Sequence, residues 1–144
     1  MTPLVKGVTV AAPVERAWRV FTDEIASWWP VPTHSVGPDR VREIVFEARP
    51  GGRIFERWED GTELSWGEVD LCEPPHRVRF SWQPNHDRAG ATEVEVTFTA
   101  VGDGTHVRLE HRGWERLGDD GPASRAEYDP GWDYVLEKYR TNAT

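Results

Sequence analysis

His111 is the residue best placed to do chemistry in this chain. Strand alternation in Val107, Leu109 and His111 sets the imidazole on an inward, apolar face. There it could hydrogen-bond a ligand carbonyl or move a proton near neutral pH. The alternative is a buried histidine satisfied by a neighbour. Glu56 shares a face with Ile54 and Trp58, and Glu68 shares one with Leu64 and Trp66 unless a bulge at Gly67 reverses the register. Two inward carboxyls are costly unless paired, and Arg53, Arg57 or Arg79 are the expected partners. That arrangement favours a structural ion pair at a cavity rim over an acid/base pair.

The segment Trp28-Trp29-Pro-Val-Pro-Thr-His34-Ser35 falls in a loop suited to capping a cavity mouth. Adjacent tryptophans at a helix end are not expected to face the core together. One of Trp28 and Trp29, with His34, is therefore free to act as a lid or a partner contact, the alternative being that both tryptophans pack under the loop. Ser35 has no Gly-x-Ser-x-Gly elbow around it and is not expected to be a nucleophile. His76 and His86-Asp87 lie in polar turns. No pair of histidines has zinc-motif spacing, and neither metal nor cofactor is expected.

Composition narrows the function classes. In 144 residues there are eight Trp and five Phe, which must fill a core or line a cavity. A formal charge of −8 argues against a nucleic-acid groove or an anionic membrane surface. Cys72 is the only cysteine, which excludes an internal disulfide and suggests an inert thiol. With no signal-like N-terminus and no run of ~20 apolar residues, the expected location is cytoplasmic.

The elements that must position these residues are mostly strands. Leu4 to Val10 is a β-branched run. Ala12-Pro13 opens a helix with Val14, Trp18 and Phe21 on one face, and Asp23 to Trp29 follows as a second short helix. Pro30 to Asp39 is expected to be loop. Strands are then predicted over Arg40 to Ala48, Arg53 to Glu59 and Thr62 to Cys72, around Val78 to Trp82 and Val94 to Ala100, and through His111. Asp60-Gly61 and Gly102-Asp103-Gly104 are hairpin turns, and Pro84 to Ala91 is a polar loop. The chain closes on a helix over Asp129 to Tyr139, with Trp132, Val135, Leu136 and Tyr139 on one face and Tyr128 extending it. Pro130 is expected to kink or divide that helix. The result is a single α+β domain: a curved antiparallel sheet of six to seven strands around a C-terminal helix, with two short helices after the first strand.

With these residues in this order, the chain resembles the SRPBCC (START-like) helix-grip superfamily. More narrowly, it is similar to bacterial proteins of the activator-of-heat-shock-protein-90-ATPase-like family. The carriers include Ala12-Pro13, Trp28-Trp29-Pro30, Pro50-Gly51-Gly52-Arg53, Trp66-Gly67-Glu68-Val69, Phe80-Ser81-Trp82, Glu110-His111-Arg112-Gly113-Trp114 and Gly131-Trp132. The resemblance implies a long C-terminal helix gripped by the sheet over a cavity, and its name suggests a stress-response setting. The leading expectation is a non-catalytic domain that binds a small hydrophobic or aromatic molecule. Trp18, Trp58, Trp66, Trp82, Phe98, Trp132, Val135, Leu136 and Tyr139 would line the site, and His111 and Glu56 would orient a polar end. Two alternatives stay open. One is a cyclase- or hydrolase-like enzyme using His111 with Glu56 or Glu68, and the other is a protein-interaction module with a chaperone-like partner. A homodimer is also open.

Overall fold

The structure, a computed structural model, describes residues 1–84 and 91–144. His86-Asp87 and most of the loop expected from Pro84 to Ala91 lie outside the described residues. Seven strands form one antiparallel sheet, β1 (Leu4–Val10), β2 (Val41–Phe46), β3 (Arg53–Trp58), β4 (Glu63–Glu73), β5 (Arg77–Trp82), β6 (Thr92–Val101) and β7 (Gly104–Arg112). Their spatial order is β1-β7-β6-β5-β4-β3-β2. Five of the neighbouring pairs are consecutive in sequence. Gly61 and Gly102 supply the positive φ at two of the hairpin turns, at 90° and 59°. β1 closes against β7, so the first and last strands pair.

Alternation sorts the two sheet faces. Val78, Phe80, Trp82, Val94, Val96, Phe98, Val107, Leu109 and His111 are all buried on the concave side. The opposite face of β5–β7 carries a charge ladder in which Arg112 donates to Glu93, Glu95 and Glu110 at 2.7–2.8 Å. Gly67 combines the expected bulge with a close approach of the neighbouring backbone. Ile54 pairs with Gly67 but Phe55 pairs with Ser65, a bulge that leaves Trp66 extra. A Cβ on Gly67 would also collide with the Ser81 carbonyl oxygen of β5. The bulge reverses the register beyond it, so Glu68 is exposed and not inward.

Two helices cover the concave face. α1 (Val14–Phe21) buries Ala17, Trp18, Val20 and Phe21. The closing helix α3 (Gly121–Ala143) is 23 residues long and starts eight residues before the expected Asp129. It stays helical through Pro130, so the divided helix expected there is not what forms. Its core face is as predicted: Trp132, Val135, Leu136 and Tyr139 are buried. The Tyr139 hydroxyl donates to the Ala17 carbonyl at 2.8 Å, joining α3 to α1. Lys6 of β1 pairs with Asp129, and with Asp133 at 3.0 Å, pinning the outer side of α3.

Between α1 and β2 the chain departs from expectation. The second short helix is only a 3₁₀ turn (Ile25–Ser27), and one helical turn, α2 (Val31–His34), forms inside the segment read as loop. Among the described residues no helix is long and apolar enough to cross a membrane.

Candidate functional site

The space beneath α3 is divided into a solid half and a hollow half. In the solid half Phe21 meets Phe98, Phe46 and Tyr139 at ring distances of 5.7, 6.4 and 5.1 Å, and Trp18 meets Phe98 at 5.3 Å. These contacts are largely edge-on, the favourable arrangement for aromatic rings. Four expected lining residues therefore belong to packed interior: Trp18, Phe98, Leu136 and Tyr139. Burial pushes the Tyr139 phenol well above its ordinary range.

In the hollow half four indoles wall a cleft of about 170 Å³. Trp66 and Trp82 come from the sheet, Trp132 from α3, and Trp29 from the segment before α2. Their ring centroids are 4.9 Å apart for Trp29–Trp66, 5.9 Å for Trp66–Trp82 and 5.5 Å for Trp82–Trp132. Tyr128, Gly131 and Val135 extend the helix side, and His34, Ser35 and Val36 form the opposite rim. The walls are held by hydrogen bonds as well as packing. Trp29 donates to the His34 carbonyl at 2.8 Å, Trp66 to Glu56 at 2.9 Å and Trp82 to the Tyr128 hydroxyl at 3.1 Å.

Of the two arrangements open to Trp28 and Trp29, the packed one forms, and neither is free. They are only 6% and 9% exposed. Trp28 caps the 3₁₀ turn in a non-helical conformation, and both side chains enter the interior with their rings 5.8 Å apart. Trp28 packs on Phe21 and Tyr139 and donates to the Val20 carbonyl at 2.7 Å, while Trp29 serves the cleft. Neither forms an exposed partner contact.

Glu56 is completely buried, yet its charge is met by no arginine among the described residues. Oε1 accepts from Val36 N–H at 2.7 Å and from Trp66 at 2.9 Å, and Oε2 accepts from Gly37 N–H at 2.9 Å and from Trp58 at 2.8 Å. Burial alone would raise this carboxyl. The donors of Trp58, Val36, Gly37 and Trp66 outweigh it and hold the group below the usual carboxylate range. The expected arginines point outward instead, Arg53 and Arg57 to Glu63 and Arg79 to Asp70. Glu56 thus ties the 36–37 loop to the back of the Trp66 wall. Trp58 lies outside the cleft, with its ring against Gly37 and the Arg40 guanidinium 5.1 Å above it.

His111 is completely buried behind Trp132 and is not in the cleft lining. Its Nδ1 accepts the Trp132 indole N–H at 2.9 Å. That fixes the neutral tautomer with a proton on Nε2, which donates to Thr92 Oγ1 at 2.7 Å, and Thr92 passes its own proton to the Trp82 carbonyl at 3.2 Å. Burial pushes the imidazole down to about 3. This is a saturated polar chain, and no hydrogen bond joins His111 to Glu56 or Glu68.

The polar groups that do face the cleft are His34, Ser35 and Tyr128. The His34 ring stacks on Tyr134 at 5.2 Å and 10°, with Nδ1 2.7 Å from Thr33 Oγ1, and burial lowers its pKa. Sequence reasoning grouped His34 with the lid but missed Tyr128 and Gly131 as cleft residues. Their helical spacing from Trp132 and Val135 was the available signal. His76 is exposed, and Cys72 is half-buried with its thiol pushed up by burial. Among the described residues no group of three potential ligands could hold a metal.

Comparison with known proteins places this geometry. Residues 11–140 match the family described as Activator of Hsp90 ATPase homolog 1-like protein. No match was found among curated proteins. A solved structure of an anthrahydroquino-γ-pyrone synthase, Txn09, is 34% identical over 100% of this chain and 97% of its own, with a TM-score of 0.66. The fold is shared at 23% identity by protein MLL2253 from Mesorhizobium loti, over 97% of this chain and 95% of that one, with a TM-score of 0.71. It is shared at 20% identity by the Aha1 dimer from Colwellia psychrerythraea, over 97% and 94%, with a TM-score of 0.70. With a match across nearly its whole length and this sheet-and-helix architecture, the chain belongs to the Activator of Hsp90 ATPase homolog 1-like family.

Proposed function

We propose that this protein binds a planar aromatic molecule in the cleft between the sheet, the α2 rim and α3. The carrying observation is the set of four indole walls, Trp29, Trp66, Trp82 and Trp132, around about 170 Å³. A dry apolar cavity of roughly 150 Å³ is enough to take up benzene. The present cleft therefore encloses one ring, with further rings or substituents reaching out past the His34 rim. Indole faces favour a flat π-system over a saturated one of equal area by ring–ring contact. His111 and Glu56 do not touch such a ligand. Their part is to hold Trp132, Trp66 and the rim in place.

The test is calorimetric titration of the intact chain with naphthalene and with its saturated counterpart decalin, repeated on Gly131→Leu. A Cβ at Gly131 meets nothing nearer than His34 Nε2 at 4.0 Å, so a leucine there starts in open space and extends into the cleft. Preferential naphthalene binding that Gly131→Leu removes is the expected result. Absence of binding to the wild-type chain, or binding that Gly131→Leu leaves intact, would sink the reading.

A second reading, a cyclase, is favoured by the 34% identity to a γ-pyrone synthase. It has no support from His111, whose ring nitrogens are both occupied, and would have to use His34, Ser35 or Tyr128. Incubating the protein with a hydroxyarene that bears an ortho 1,3-diketone decides it. Cyclisation adds the phenolic oxygen to a carbonyl and releases one water, which mass spectrometry detects. Turnover no faster than the uncatalysed background would rule this reading out.

A further inference from the structure

Gly131 sits inside a 23-residue helix directly after Pro130. Glycine there costs about 1 kcal/mol relative to alanine, and the adjoining proline already removes one helical hydrogen bond. Other glycines of this chain have a visible steric reason. A Cβ on Gly67 or on Gly121 would strike backbone, at the Ser81 carbonyl in the first case and at the Trp114 carbonyl, 2.5 Å away, in the second. Gly131 has no such reason, since its nearest neighbour beyond its own helix and chain neighbours is His34 Nε2 at 4.0 Å. Nor is positive φ required of it. What the missing side chain leaves is open cleft between α3 and the imidazole.

That imidazole is oriented from several sides. Tyr134 stacks on its face, Trp29 holds the His34 carbonyl at 2.8 Å, and Thr33 Oγ1 lies 2.7 Å from Nδ1. With the Thr33 hydroxyl donating to the Pro30 carbonyl, 3.4 Å away, we assign the ring proton to Nδ1, which donates to Thr33 Oγ1. Nε2 is then a lone-pair acceptor facing the slot over Gly131, with no hydrogen-bond partner among the described residues. An acceptor at the edge of an indole box is matched by an aromatic ring that carries an acidic hydroxyl.

We propose that the ligand is a hydroxyarene whose ring enters over the bare face of Gly131 and whose hydroxyl donates to His34 Nε2. The inference rests on the aromatic-cleft reading and adds the ligand's polar group and the two residues that select it. Gly131 sets the width of the entry and His34 sets the preference for a hydroxyl over an isosteric methyl.

The experiment titrates 2-naphthol and 2-methylnaphthalene calorimetrically into the full chain, into His34→Phe and His34→Gln, and into Gly131→Ala and Gly131→Leu. The wild-type chain is expected to favour 2-naphthol by about tenfold, the worth of one hydrogen bond. His34→Phe keeps the stack on Tyr134 but has no acceptor, so the preference disappears while 2-methylnaphthalene binds as before. His34→Gln, which retains an acceptor, restores part of it. Gly131→Ala weakens both arenes modestly and Gly131→Leu weakens both by tenfold or more. Thermal unfolding midpoints of both Gly131 variants should equal or exceed the wild-type value, showing an intact fold. Equal affinity of the wild-type chain for the two arenes overturns the hydroxyl assignment, as does a preference that survives His34→Phe. Undiminished binding to Gly131→Leu overturns the slot. If neither arene binds the wild-type chain, the aromatic-cleft reading itself falls.

Discussion

The indole N–H of Trp132 lies 2.9 Å from His111 Nδ1, with both side chains buried, so α3 consumes the accepting nitrogen of the sheet's most enclosed imidazole. One contact thereby decides two matters. It removes His111 from acid–base chemistry, and it sets the angle at which Trp132 presents its face to the cleft.

Acid lability follows from that neutral imidazole. An unfolded histidine titrates near ~6.5, whereas burial holds His111 at about 3. Between those values the unfolded chain binds a proton that the folded chain does not. Stability is therefore full above the unfolded value and declines on acidification, by up to about 1.4 kcal/mol per pH unit. Urea unfolding at pH 7.5, 6.5 and 5.5 should show the decline, and His111→Gln should flatten it. His34, also lowered by burial, contributes in the same direction, and His34→Gln isolates its share. A wild-type midpoint unchanged across this range would contradict the burial argument.

Trp132→Phe retains most of the aromatic bulk and removes the N–H. His111 Nδ1 then loses its donor in a site without solvent, a loss of about 1–3 kcal/mol. Equilibrium unfolding measures it directly. A Trp132→Phe chain as stable as wild type would show that the hydrogen bond is dispensable.

Glu56→Gln is nearly isosteric but presents an NH₂ group to N–H donors that need an acceptor. We expect a loss of about 2–4 kcal/mol near neutral pH, because the four donors converge on a charge. The carboxyl's folded pKa lies below its unfolded value. Its stabilisation is thus present above ~4.3 and is lost as pH falls through the folded pKa. The gap between wild type and Glu56→Gln should accordingly narrow toward pH 3 in denaturant titrations. The variant should also speed proteolysis at residues 35–39, the segment that Glu56 anchors.

Gly67→Ala places a methyl group where the Ser81 carbonyl oxygen already lies. The β4–β5 approach would have to open, at about 3 kcal/mol or more. Circular dichroism of the thermal transition should report a large fall in midpoint, in contrast to the neutral or raised midpoint expected for Gly131→Ala. Equal midpoints for the two alanine variants would refute the distinction drawn between these glycines.

The strands were legible in the amino-acid sequence for local reasons, while the pairing of β1 with β7 was not. Alternation in Val94, Val96 and Phe98 fixes which side chains face inward, and Asp60-Gly61 and Gly102-Asp103-Gly104 permit only tight reversals. The i, i+3, i+4, i+7 face of Trp132, Val135, Leu136 and Tyr139 likewise fixed what α3 buries. The bulge at Gly67 was visible because glycine inside a strand has few other uses. Partners that come from distant segments were beyond such patterns. His111 looked reactive until Trp132 and Thr92 met it, and Glu56 called for an arginine until four N–H groups from three segments converged on it. The aromatics were countable in advance, but their division into a solid half around Phe21 and an indole-walled cleft around Trp29 depends on Trp28 and Trp29 both turning inward, one to each half. Periodicity encodes the face on which a residue lies; hydrogen-bond saturation and empty space exist only once remote elements have packed.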